Sequence, residues 1–151
     1  MSDLPHLRHL LQAGLQAEDY GISFYRNLSV RATDDKVKTL CAHLAGEEAR
    51  HKALIEHTLR HWLPLPMDME TELLMDEELT ALGVFQEPPG EDAGVMELLH
   101  WALDQEERMV SFYRKYADLF DEVWKKEELE LMVKEEEDHV RMIKALLEKG
   151  E

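Results

Sequence analysis

Glu18-Asp-Tyr-Gly-Ile-Ser-Phe-Tyr25 and Glu47-Glu-Ala-Arg-His51 return 88 residues later as Glu106-Glu-Arg-Met-Val-Ser-Phe-Tyr113 and Glu135-Glu-Glu-Asp-His139. In each copy 30 residues separate the leading glutamate from a second one, Glu18 from Glu48 and Glu106 from Glu136, and a histidine follows the second by three positions. An i,i+3 step places carboxylate and imidazole on one face of a helix. One Glu from each of two helices and Glu-x-x-His from each of two others is the side-chain set that holds two bridged transition-metal ions inside a four-helix bundle. Either Glu-x-x-His alone would read as a solvated, salt-bridging helix face. Two copies, each with its distant glutamate at the same spacing, decide for a site.

The duplication extends beyond the ligands. Residues 1–63 laid without gaps on residues 89–151 give 14 identities, concentrated around these motifs, so a helical hairpin is repeated. For Glu18 to face Glu48 the first hairpin must turn at their midpoint, residue 33; the second must turn at residue 121. Thr33 and Asp121 are both N-cap residue types before a new apolar-periodic run. About 15 residues of helix on each side of the turn, roughly 22 Å, bring each glutamate pair to one height.

The spacing therefore predicts an all-α fold, a four-helix bundle of two repeated hairpins joined by a long crossover, with residues 1–151 as one domain. The first hairpin is expected over about residues 4–62, with Asp3 capping, Pro5 in the first turn and a chain reversal at Ser29–Asp35. Its helices carry apolar stripes at Leu7, Leu10, Leu11, Leu15 and Ile22, then at Val37, Leu40, Cys41, Leu44, Leu54 and Ile55. The crossover, about 63–94, holds four of the five prolines; Met67–Leu82 in it is expected to form a short helix closed by Gly83. The second hairpin is expected over about 92–149, turning at Leu119–Glu122, with Gly150 past its end. A long crossover also permits two chains to exchange hairpins, so a swapped homodimer is an expectation.

Bulk composition narrows the function classes. A net charge of −16 excludes a nucleic-acid binder, which needs a basic stripe to displace counterions. No run approaches the roughly 18 apolar residues of a membrane helix, and no basic-then-apolar leader is visible, so a cytoplasmic protein is expected. Cys41, the only cysteine, excludes an internal disulfide or a Cys-rich metal module and is expected to be an inert core residue.

Within the site, Glu48 and Glu136 are expected to bridge two ions, with Glu18 and His51 terminal on one and Glu106 and His139 terminal on the other. Tyr25 and Tyr113, seven residues after each leading glutamate, are candidates to hydrogen-bond ligand carboxylates or to offer an oxidisable ring, against the alternative of ordinary interface packing. Glu47 and Glu135 lie about 100° round the helix from the ligands and are expected on the surface. Arg26 and Arg114 are expected to form salt bridges near the hairpin ends. His57 and His61 are expected to be simply exposed. The donor set accepts iron, manganese or zinc, and affinity alone does not select among them.

At these residues the chain resembles rubrerythrins and the wider ferritin-like diiron superfamily. The resemblance covers both hairpins and rests on the four quoted stretches, the Phe-Tyr placement being the most rubrerythrin-like part. It implies a diiron centre that reduces hydrogen peroxide to water. The chain departs from the family twice. Rubrerythrins carry a rubredoxin-like Fe(Cys)4 domain that one cysteine cannot build, so an external electron-donor protein is expected. Rubrerythrins also place an additional glutamate one turn after the third-helix ligand, where this chain has Met109. The remaining six-ligand set is symmetric, like the ferroxidase centre of bacterioferritin. That leaves peroxide reduction, dioxygen-driven iron oxidation and a metal-stabilised interaction bundle open.

Overall fold

The computed structural model describes residues 4–65 and 73–150. Four long helices carry the chain: α1 (Leu4–Arg31), α2 (Asp35–Trp62), α4 (Val95–Lys115) and α6 (Lys126–Gly150). Two short ones, α3 (Asp76–Ala81) and α5 (Ala117–Phe120), lie in the connections. The hairpins α1–α2 and α4–α6 pack together into an all-α bundle, so the two halves of the repeat meet. None of the described helices is long and apolar enough to cross a membrane.

The first turn falls where the glutamate midpoint places it. α1 ends at Arg31 and α2 is capped by Asp34, whose side chain accepts from the Lys36 amide at 2.7 Å. The cap is thus one residue beyond Thr33. The second turn is longer than expected and begins earlier, because α4 stops at Lys115, α5 intervenes, and α6 starts only at Lys126. Aromatic packing is the reason. Phe112, Tyr116, Phe120 and Trp124 recur at helical spacing, pack edge-on or tilted against one another in series, and keep the chain coiled through Asp121. Trp124 is then tied to α2 through its indole N–H and Thr58 Oγ1 at 2.7 Å.

The crossover spans 63–94 as read, but its helix is shorter than Met67–Leu82. Leu73–Met75 are not helical, only Asp76–Ala81 are, and residues 67–72, like the expected cap Asp3, lie outside the described residues. Gly83 closes α3 with φ +82, its amide bonding to Thr80 O and that of Val84 to Leu79 O. This left-handed closure favours glycine. α6 runs through Gly150 instead of stopping before it. The crossover lies over the α1–α4 side of the bundle, fastened by Gln16 to Leu74, Arg31 to Ala93 O, Trp101 to Glu87 O and Gln105 to Val84 O.

Two apolar clusters fill the interior. One joins Leu7, Leu10 and Leu11 to Ile55, Met109, Phe112, Tyr113 and Met132; the other joins Tyr25 and Leu28 to Cys41, Leu44, Leu99, Ile143 and Leu147. They occupy opposite ends of the bundle, and the duplicated polar motifs lie between them.

Candidate metal centre

All six residues singled out by the repeat are buried: Glu18 on α1, Glu48 and His51 on α2, Glu106 on α4, Glu136 and His139 on α6. They converge as two overlapping quartets, Glu18–Glu48–His51–Glu136 and Glu48–Glu106–Glu136–His139, with the donor atoms of each quartet within 4.8 Å of one another. Glu48 and Glu136 belong to both, as bridging carboxylates must. Each imidazole turns Nδ1 inward. His51 Nδ1 is 2.8 Å from Glu136 Oε1 and 3.6 Å from Glu18 Oε1. His139 Nδ1 lies 3.5 Å from Glu106 Oε2 and 3.7 Å from both Glu136 Oε2 and Glu48 Oε1.

Packing four carboxylates into a dry interior splits their proton affinities. Burial raises Glu136 to about 8, helped by the negative charges of Glu106 and Glu18. Burial likewise drives Glu48 well above the carboxylate range, with Glu106, Glu18 and Glu136 adding to it. In Glu106 burial is outweighed by the adjoining Glu136 carboxyl and by the His139 imidazolium beside it, leaving it at about 2. Glu18 is lowered in the same way, burial being overcome by Glu48 and His51. Burial would depress the imidazoles, yet the hydrogen bond to Glu136 and the nearby Glu18 carboxylate carry His51 up to about 11, and the carboxyl groups of Glu106 and Glu136 close to Nδ1 carry His139 to about 10. The cluster therefore holds protons most tightly on Glu48, Glu136 and the two imidazoles, and least on Glu18 and Glu106.

That balance leaves polar atoms without partners. Glu18 Oε2, Glu106 Oε2, Glu136 Oε2 and both ring nitrogens of His139 are buried and make no hydrogen bond. Each such atom costs on the order of 1–3 kcal/mol. A pair of divalent cations among these oxygen and nitrogen donors fits the set, and the donors suit iron, manganese or zinc.

The tyrosines reach the carboxylates across the repeat. Tyr25 Oη of the first hairpin donates to Glu106 Oε1 of the second at 2.7 Å, and Tyr113 Oη of the second donates to Glu18 Oε1 of the first at 2.8 Å. Burial first, then the surrounding carboxylates, raises both phenols well above their ordinary value, so each keeps its proton.

Glu47 and Glu135 correct a sequence expectation. Neither stands free on the surface: Arg50 pairs with both, and Glu135 Oε1 lies 3.4 Å from His51 Nε2. Glu47 is held below the usual carboxylate range because Arg50, with the charges of His139 and His43, outweighs its partial burial. A position 100° off the ligand face points, in this bundle, into the seam between α2 and α6. A carboxylate behind a ligating histidine orients the ring and raises its basicity. The signal in the sequence was the repetition of the Glu-Glu pair itself.

The remaining expectations are simpler. Met109 is buried in the core and offers no oxygen to the site. Cys41 is buried and unpaired, its thiol pushed up to about 11 by burial. His57 and His61 are exposed, with rings 4.4 Å apart. Arg114 pairs with Glu137 across the second hairpin at 3.0 Å.

The rubrerythrin family model matches residues 9–147, taking in all six buried ligand candidates and both tyrosines. The chain belongs to the rubrerythrin family. A solved structure described as ferritin-like, diiron-carboxylate proteins from Bacillus anthracis str. Ames superimposes with a TM-score of 0.67 at 20% identity, covering 97% of this chain and 99% of that one. This likeness establishes a ferritin-like fold. A search of curated proteins returned no match. With one cysteine, this rubrerythrin-family chain contains no rubredoxin-type iron site.

Proposed function

We propose that this protein is a non-haem diiron peroxidase that reduces hydrogen peroxide to water with electrons from an external donor protein. The observation that carries the reading is the pair of overlapping quartets sharing Glu48 and Glu136, inside a chain of the rubrerythrin family. The diiron-carboxylate description of the Bacillus anthracis structure supports iron as the resident metal. Glu18 and His51 would hold one ion, Glu106 and His139 the other, and Glu48 and Glu136 both.

A bound ferrous pair supplies the two electrons that reduce peroxide to two waters, with two protons taken up. The chain's own groups manage geometry and protons. Tyr25 and Tyr113 hold Glu106 and Glu18 in place and keep an O–H within 2.8 Å of each carboxylate. Glu135 sets the His51 ring from behind. The two apolar clusters exclude water above and below, strengthening each electrostatic contact between them.

Anaerobic addition of stoichiometric peroxide to the reduced, iron-loaded protein tests this directly. Reoxidation much faster than with dioxygen supports the peroxidase reading; a reduced centre inert to peroxide overturns it. One observation favours a second reading, oxidation of ferrous iron by dioxygen: Met109 leaves the ligand set at six symmetric residues. In that case dioxygen is the faster oxidant. The external donor, the cytoplasmic setting and a homodimeric assembly belong to the same proposal.

A further inference from the structure

The two halves of the centre carry the same ligands but support their histidines unequally. In front of the rings the halves match: Tyr25 donates to Glu106 at 2.7 Å and Tyr113 to Glu18 at 2.8 Å. Behind the rings they differ. His51 Nε2 lies 3.4 Å from Glu135 Oε1. The repeat would give His139 the same support from Glu47, the counterpart of Glu135, yet His139 Nε2 is buried and makes no hydrogen bond. Both imidazole side chains are only 1% exposed, so bulk solvent does not replace the missing carboxylate.

One broken position in the repeat accounts for the difference. The residue before His51 is Arg50, and the residue before His139 is Asp138. Arg50 reaches from α2 to Glu135 on α6, its Nη2 donating to Oε2 and its Nη1 lying 3.3 Å from Oε1. The same guanidinium holds Glu47 one turn back on α2, with Nε at 3.2 Å, and His43 Nε2 lies 3.8 Å from that carboxylate. Glu47 is thereby kept among side chains of its own helix. Asp138 offers no cation to draw it across, and pairs with Arg141 on α6. A neutral imidazole that binds a metal through Nδ1 keeps its proton on Nε2. In His51 that N–H faces a carboxylate; in His139 it is buried without an acceptor.

Resting on the dimetal reading above, we infer that Glu135, fixed by Arg50, is a positioning residue for one metal position only, and that it makes the Glu18–His51 position the tighter of the two. A carboxylate behind a ligating histidine orients the ring and strengthens it as a donor. At limiting metal the centre holds one ion, between Glu18, His51 and the shared Glu48 and Glu136. The Glu106–His139 position fills second and empties first, which makes it the exchangeable one.

Cobalt(II) binding to the metal-free chain tests the inference, read by its visible d–d absorption and by anomalous scattering from crystals grown with one equivalent. The wild-type isotherm is expected to show two steps at least about tenfold apart, with the single equivalent gathered beside Glu18 and His51. Glu135→Gln, which keeps the size of the side chain, is expected to weaken binding beside His51 by about 10- to 100-fold, so that the two steps merge or exchange order. Glu47→Gln removes the same charge from the same seam without touching a ligand, and is expected to leave both steps in place. Two equal steps, a single equivalent shared evenly or gathered beside Glu106 and His139, or equal losses in the two variants each overturn the inference and leave the dimetal reading standing. Should Glu135→Gln not fold, the wild-type crystals decide alone. A wild-type chain that holds fewer than two ions overturns both.

Discussion

Each site residue is held by a partner from the other hairpin, so single substitutions report on the whole centre. Tyr25→Phe removes the donor to Glu106, and Tyr113→Phe the donor to Glu18, while keeping the ring. Each leaves a buried carboxylate oxygen short of a partner and is expected to destabilise the metal-free protein by about 1–3 kcal/mol in urea denaturation. Titration gives a second prediction. Glu136 sits at about 8 in the fold against an ordinary 4.5, and His51 and His139 at about 11 and 10 against 6.5. The folded metal-free protein therefore binds more protons than the unfolded chain from mildly acid to alkaline pH, and its stability falls as pH rises through that window. The stabilisation from the two imidazoliums is complete below their unfolded value and lost as pH climbs through 10 to 11. Glu106, held at about 2, contributes the opposite slope, which is lost as pH falls from 4.5 toward 2. Thermal scans of the metal-free protein should peak near about pH 5 and decline toward about pH 9. Metal loading displaces protons from the two imidazoles and from the carboxyl groups whose proton affinity is raised, so affinity should rise with pH. A melting temperature flat across this range would contradict the charge arrangement.

At the scale of helices and turns, regularity made the sequence readable and tertiary contacts set its limits. The turn between α1 and α2 was legible because glutamate spacing and capping chemistry agree to within one residue, Thr33 against Asp34. The second turn was not, because the edge-on and tilted packing of Phe112, Tyr116, Phe120 and Trp124 overrides the capping signal at Asp121. The six buried candidates and the two tyrosines were legible from duplication alone. Glu135 was not, since its role depends on the seam between α2 and α6, a relation between helices that no single helical wheel contains. Glycine position matters at this scale too. Gly46 lies inside α2 with nothing within 4 Å of a Cβ placed on it. Gly46→Ala is therefore expected to stabilise the protein by roughly 1 kcal/mol through helix propensity, read as a rise in the urea midpoint with an unchanged slope. Destabilisation would place an unrecognised contact at that face.

Over the whole molecule, two apolar clusters clamp a charged middle layer. The clusters fix four helices at one register, and the register makes four carboxylates and two imidazoles share a space too small for their uncompensated charges. The chain's net charge of −16 raises the local cation concentration around that layer. An ion pair that binds the folded form alone stabilises it by mass action. The most direct test of the account is metal stoichiometry on the intact chain, by elemental analysis after anaerobic ferrous loading and desalting. The account predicts two ions per wild-type chain and loss of both in the Glu48→Ala/Glu136→Ala double variant, which removes the ligands shared by the two quartets. One ion or none in the wild type, or two retained in a folded double variant, would contradict it.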